Sequence, residues 1–250
     1  MNTRMMLSAA ALLAVGLVAV PASADTLFLD GFSNHTSGNS INGVNDWIQR
    51  PLGGTEELQI NDTGSFPAPG MIGNYVDGTI GSSDGAASLN DAGLTGGMDP
   101  TMEYVLSWTH HALDNTSNVE IGFKSGTSPN GPRIVLDGQF NGNGGRVLWR
   151  GPTISDDTQG WVGDNTTHVF EIVVNSSSVQ MLIDGQATGG GPMDAATMAQ
   201  FDGIFIFHDH SGGRDAGYID NIMLTPEPGT LALLGLGALA ALRRRRLAVL

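Results

Sequence analysis

The sequence predicts an all-β fold, a two-sheet antiparallel β-sandwich set between two apolar terminal segments. Three observations predict it. Short runs rich in β-branched and aromatic residues recur along the chain, each bounded by Gly, Asn, Asp or Ser. No run outside the two ends carries the 3.6-residue period of an amphipathic helix. The roughly 200 residues between the ends suit one sandwich domain. The chain has no cysteine, so an exported domain of this kind is held by core burial, with or without a metal, and not by disulfides.

The N-terminus comes first. Arg4 is the only charge before Asp25, Met5 to Val20 is almost wholly apolar, and Ala22-Ser23-Ala24 supplies small residues at an exit site. A basic start, an apolar middle and an A-x-A end describe a secretory signal peptide, a helix over residues 1–24 cut between Ala24 and Asp25. Strands are then expected at 27–32, 57–60, 71–76, 104–110, 119–123, 133–136, 146–149, 168–174, 179–183, 204–208 and 218–224. Residues 194–200 are expected to make one or two helical turns, and Asp156-Asp157 to lie in a polar loop. The clearest hairpin is HVFEIVVNSSSVQMLIDGQ, where two β-rich runs flank Asn-Ser-Ser-Ser and Asp184-Gly185 makes the next turn.

Charge narrows the partners. Residues 25–225 hold six Lys and Arg against 24 Asp and Glu, a formal charge of −18. Such a surface is expected to repel nucleic acid and anionic polymers, and to suit divalent cations or neutral glycans.

The C-terminus reads Pro226-Glu227-Pro228-Gly229, then an apolar run from Thr230 to Leu242, then Arg243, Arg244, Arg245 and Arg246. The run is short against the roughly 20 residues of a relaxed bilayer span. It predicts a single, marginal transmembrane helix with the arginines on the cytoplasmic side. Prolines lack the N–H that a sheet ladder or helix interior needs, so Pro226 and Pro228 are expected to hold Glu227 in an exposed linker after the last strand. This three-part order resembles the PEP-CTERM sorting signal of Gram-negative bacteria. The resemblance implies an exosortase-type membrane protease as partner, cutting near the Pro-Glu-Pro. It also implies a precursor anchored transiently in the inner membrane, and a destination at the cell surface or in the extracellular matrix. The division is then residues 1–24 signal peptide, 25–224 sandwich, and 225–250 sorting signal.

The middle resembles concanavalin A-like and laminin-G-like jelly rolls. The stretches that carry this are LFLDGFSNHTSGNSINGVNDW (Leu27 to Trp47), the hairpin strand ending in Ile183-Asp184-Gly185, and AGYIDNIMLTPEP (Ala216 to Pro228). In such folds the first and last strands are often neighbours, which implies structural calcium at Asp30 and Asp220. His208 and His210, two apart on one strand face, offer a second metal reading, with His110 or His111 as a third ligand. Glycanases of this fold carry a Glu-x-Asp-x-Glu pattern on one strand, and this chain lacks it. A nucleophile elbow, a P-loop and a zinc-protease helix are absent too. The expected function is therefore non-catalytic, a weak carbohydrate-binding or adhesive domain that meets extracellular polysaccharide through Trp149, Trp161 and Asn165. A divergent glycan hydrolase or lyase, and a structural matrix protein with no ligand, are the alternatives. Trp108, within an apolar strand, is expected in the core.

Overall fold

A computed structural model describes residues 26–31, 41–51, 59–61, 75–77, 86–111, 119–137, 146–151, 157–159, 167–208 and 218–228. The expected signal helix and membrane segment lie outside these residues. In chain order the elements are β1 (Phe28–Asp30), β2 (Ile48–Pro51), β3 (Gln59–Asn61), β4 (Tyr75–Asp77), β5 (Ala86–Asn90), β6 (Met102–His111), β7 (Val119–Lys124) and β8 (Arg133–Asp137). They continue with β9 (Arg146–Arg150), β10 (Asp157–Gln159), β11 (Thr167–Val174), β12 (Ser178–Ile183), β13 (Gln186–Pro192), α1 (Ala195–Met198), β14 (Gly203–His208) and β15 (Tyr218–Pro228).

The strands form two antiparallel sheets. The first runs β13-β12-β11-β6-β15-β4-β3, with β1 also on β15. The second runs β10-β9-β8-β7-β14-β5-β2. Side chains alternate across each strand, so every second residue points inward. Leu106 and Trp108 of β6 and Phe170 and Ile172 of β11 meet Ile121 and Phe123 of β7 and Ile204 and Ile206 of β14 in one buried core. Trp108 stacks on its cross-strand neighbour Phe170, with centroids 5.5 Å apart and planes 12° apart. The core placement expected for Trp108 is thus what the structure shows.

The predicted hairpin is β11–β12, closed by Asn175, whose side-chain oxygen accepts from the Ser177 and Ser178 amides at 3.0 Å each. Asp184 (φ 50) and Gly185 (φ 73) then turn the chain into β13, both in the left-handed region that this tight turn requires. The expected helical turn is α1, capped by Asp194, whose side chain accepts from Thr197 N at 2.8 Å.

Three readings need correction. Strands β2, β5, β10 and β13 were not anticipated, and Asp157, read as loop, pairs with Trp149 in edge strand β10. Strand β13, QATGGGP, reads as a turn because Gly and Pro dominate it. It forms because β12 offers a ladder, and at Gly190 a Cβ would collide with the Val179 carbonyl. The third correction concerns the Pro-Glu-Pro. Strand β15 does not stop at Leu224. It continues along β6, with Pro226 opposite Tyr104, Glu227 opposite Glu103 and Pro228 opposite Met102. On its other side β1 pairs only with Ile222 to Leu224. Beyond Leu224 that edge of β15 carries no described partner strand, and prolines two residues apart direct their missing N–H groups to the same side.

Candidate functional site

The end of β15 that holds Asp220 is shaped by a β-bulge. The ladder with β6 slips between Asp220 and Met223, and Asn221 takes the left-handed conformation at φ 52. Asp30 of β1 sits opposite Ile222 in the same region. Both carboxylates named from the sequence are buried, with Asp30 2% and Asp220 0% exposed. Asp30 Oδ2 accepts from Trp47 Nε1 at 3.0 Å. Trp47 is itself buried and meets the Phe28 ring edge-on at 5.9 Å. Asp220 accepts from the Asn221 backbone N–H at 2.7 Å and from Asn221 Nδ2 at 3.3 Å. Burial pushes the Asp220 carboxyl up to about 7, against the Asn221 N–H, which favours the charge, and with added repulsion from Asp30. Gly31 completes the arrangement. A Cβ there would lie 3.2 Å from Asn221 Oδ1 and 3.7 Å from Asp220 Oδ1. Two oxygen-bearing side chains, Asn221 and Asp220, therefore gather around one residue that has none.

A second polar constellation lies on the outward face of the second sheet. Glu120 of β7 accepts from Arg133 Nε at 2.6 Å and from Arg150 Nη1 at 3.2 Å. Ladder register explains the meeting, since Gly122 is paired with Arg133 and Arg133 with Arg150. Gly122 makes room for the arginine, because a Cβ there would stand 2.5 Å from Arg133 Cβ. Leu89, Val135, Leu148 and Phe205 lie on this face, are buried, and stand apart from the central core. At the margin Lys124 Nζ contacts Asp91 Oδ1 at 2.7 Å and Asp202 Oδ1 at 3.0 Å.

The remaining predicted residues are placed as follows. Trp149 lies in β9 opposite Ile134 and Asp157. His208 ends β14 opposite Val119 and Ala86. His110 is buried and faces Phe170 edge-on at 6.1 Å, while His111 Nδ1 lies 3.1 Å from Thr167 Oγ1. Among the described residues, no three His, Asp or Glu side chains gather to hold a metal ion. Trp161, Asn165, His210, Gly229, Arg243 to Arg246, Ala22, Ala24 and Asp25 lie outside the described residues. Sequence reading missed Trp47 as the partner of Asp30, and it missed the Arg133–Glu120–Arg150 trio. The signal for the trio was available in strand parity once β7, β8 and β9 are ordered side by side.

Comparison with known proteins bears on both ends of this description. Residues 224–246 match a model for the PEP-CTERM protein-sorting motif. The tail is a PEP-CTERM sorting signal. A PEP-CTERM signal indicates an exported protein that is membrane-anchored before processing. Among the described residues no helix is long and apolar enough to cross a membrane. The fold is similar to that of the Emp46p carbohydrate recognition domain in its metal-free form (TM-score 0.51, 9% identity, 82% of this chain and 96% of that one). It is similar to the T. cruzi calreticulin globular domain (0.53, 11%, 84% and 91%). It is also similar to a carbohydrate esterase of the Shiga toxin-encoding bacteriophage phi24B (0.51, 16%, 82% and 99%). At these identities the likeness establishes the fold, a lectin-like, concanavalin A-like jelly roll. No curated protein matches the chain in sequence.

Proposed function

We propose that the exported part of this PEP-CTERM protein is a non-catalytic carbohydrate-binding sandwich. On this reading it works at the cell surface or in the extracellular polysaccharide, after an exosortase-type protease has processed the tail. The observation that carries the reading is the outward face of the second sheet. There an apolar floor of Leu89, Phe205, Val135 and Leu148 lies beneath a fixed ionic trio. Sugar hydroxyls need oriented donors and acceptors, and the Arg133–Glu120–Arg150 trio offers them, held in place by the buried apolar residues beneath it. The fold supports the same reading, since one similar structure is a carbohydrate recognition domain. Asp30 and Asp220 are buried and hydrogen-bonded to Trp47 and Asn221. They do not flank an open groove as a hydrolase pair does. Screening the full chain on a glycan array, with and without calcium, tests the reading. Retention of one glycan class supports it, and no retention on any glycan refutes it.

Calcium is the cofactor we propose for the Asp30–Asp220 pair. Carboxylate and amide oxygens are the donors that calcium takes; Asp220 and Asn221 converge at Gly31, and buried Asp30 precedes it on the paired strand β1. These residues would hold the ion, and its charge would offset the repulsion between the two carboxylates. Its role on this reading is structural, tying β1 to β15.

A further inference from the structure

The domain's −18 charge is unevenly placed. The strands of the first sheet contain no Lys or Arg, and they carry Asp30, Asp77, Glu103, Glu171, Asp220 and Glu227. Five of the six basic residues between positions 25 and 225 lie in the second sheet, as Arg50, Lys124, Arg133, Arg146 and Arg150. Register then decides the face. Arg133 pairs with Gly122 and Arg150, and Gly122 pairs with Phe205. Arg50 pairs with Ala87, which pairs with Phe207. Lys124 pairs with Gly203, and Arg146 with Asp137. All five occupy the parity opposite to that of the core residues Ile121, Phe123, Ile204 and Ile206. Among the described side chains, the strand-borne cations Lys124, Arg133 and Arg150 therefore all fall on one outward sheet face.

We propose that this face binds an acidic glycan, a polymer whose sugars carry carboxylates. The proposal rests on the carbohydrate-binding reading above and names its ligand class. It also reverses the expectation from net charge, because recognition follows the local field and not the sum. Arginine is the side chain best matched to a carboxylate, since its planar fork gives two parallel hydrogen bonds. Arg133 has five N–H donors, and the contacts it makes use Nε for Glu120 and Nη1 for the Gly131 carbonyl. Its side chain is 21% exposed and that of Arg150 is 34% exposed. Glu120 fixes both guanidiniums in advance, which lowers the ordering cost of binding. Lys124 is already neutralised by Asp91 and Asp202 and contributes nothing.

The test measures binding of the full chain, purified in detergent, to three probes: oligogalacturonate, neutral dextran and polyglutamate. The proposal expects oligogalacturonate alone to bind, with affinity falling as sodium chloride rises. It expects Arg150→Gln to weaken binding by about tenfold or more, a loss of about 1.4 kcal/mol, with an unchanged melting temperature. Arg133→Gln should do the same, and Arg150→Lys should restore only part of the affinity. Dextran bound as tightly, with the arginine variants unaffected, overturns the acidic-glycan proposal and leaves the carbohydrate reading standing. Polyglutamate bound as well as oligogalacturonate overturns it in favour of a general anion face. Binding of none of the three, in a protein whose glycan array is also blank, removes both.

Discussion

Glu103 of β6 and Glu227 of β15 stand directly opposite each other across the antiparallel ladder, at the centre of the Pro-Glu-Pro. Like charges in that position weaken a strand pair by about 0.2–1 kcal/mol. Pro226 and Pro228, on either side, offer no donors to the edge that β1 leaves open beyond Leu224. The sorting motif therefore begins inside the sandwich, at buried Leu224, and leaves it through the least supported part of the last strand.

A protease acting near the Pro-Glu-Pro needs that strand end lifted off β6. Glu103→Lys turns repulsion of Glu227 into attraction and should slow processing severalfold without altering signal-peptide removal. Mass spectrometry of intact protein from the native host, sampled over time, reads this directly. An unchanged rate, with slower amide exchange at Glu227 showing the strand end tightened, would mean that lifting the strand does not limit the cut.

Asp220 makes stability depend on pH with a definite sign. Its carboxyl is raised by burial from an ordinary 3.8 to about 7 in the folded protein. The folded state thus holds a proton that the unfolded state releases between these values. The associated stability is fully present below about pH 4 and is lost as pH rises through about 7. The melting temperature should fall between pH 5 and pH 8, and Asp220→Asn should remove most of that slope and raise the melting temperature at pH 8. The same slope in parent and variant would place the titrating group elsewhere.

Calcium should act in the same window. At pH 8, with Asp220 ionised, millimolar calcium at fixed ionic strength should raise the melting temperature of the parent and not of Asp220→Asn. A hundredfold excess over the dissociation constant corresponds to about 2.7 kcal/mol. A parent melting temperature indifferent to calcium sinks the structural-calcium proposal, whatever the glycan results.

How far the sequence could be read depended on whether a feature was local. His168 to Val174 and Val179 to Ile183 announce a hairpin because pattern and turn lie within one stretch. Asp194 announces α1 through its cap on Thr197 in the same way. The pairing of the first strand with the last was anticipated from the resemblance to jelly rolls, but Trp47 as partner of Asp30 needed the loop before β2 to fold back. Strand β13 and the Pro-Glu-Pro end of β15 were misread because Gly and Pro weigh against a strand unless a neighbour supplies the ladder, as β12 and β6 do here. The arginine face was invisible for a different reason. Arg133 and Glu120 are thirteen residues apart in sequence, and only strand order reveals that they share a surface.

Two buried tryptophans allow a clean comparison. Trp47 and Trp108 are both buried, and Trp47 Nε1 donates to Asp30 whereas Trp108 Nε1 has no hydrogen-bond partner. Replacing either by Phe removes a similar volume of apolar contact, so the difference between the two variants isolates the N–H. Trp47→Phe removes a donor from a buried carboxylate, at a cost of about 1–3 kcal/mol. Trp108→Phe removes a group already lacking a partner and keeps an aromatic ring against Phe170, so its N–H loss should be neutral or favourable. Denaturant unfolding at pH 7 should therefore show Trp47→Phe less stable than Trp108→Phe by about that amount. The gap should narrow when Trp47→Phe is made in an Asp30→Asn background, where the acceptor is no longer a carboxylate. Equal losses in the two single variants would show that the bond from Trp47 to Asp30 contributes nothing to stability, and would remove the argument that Trp47 holds Asp30 in place beside Asp220.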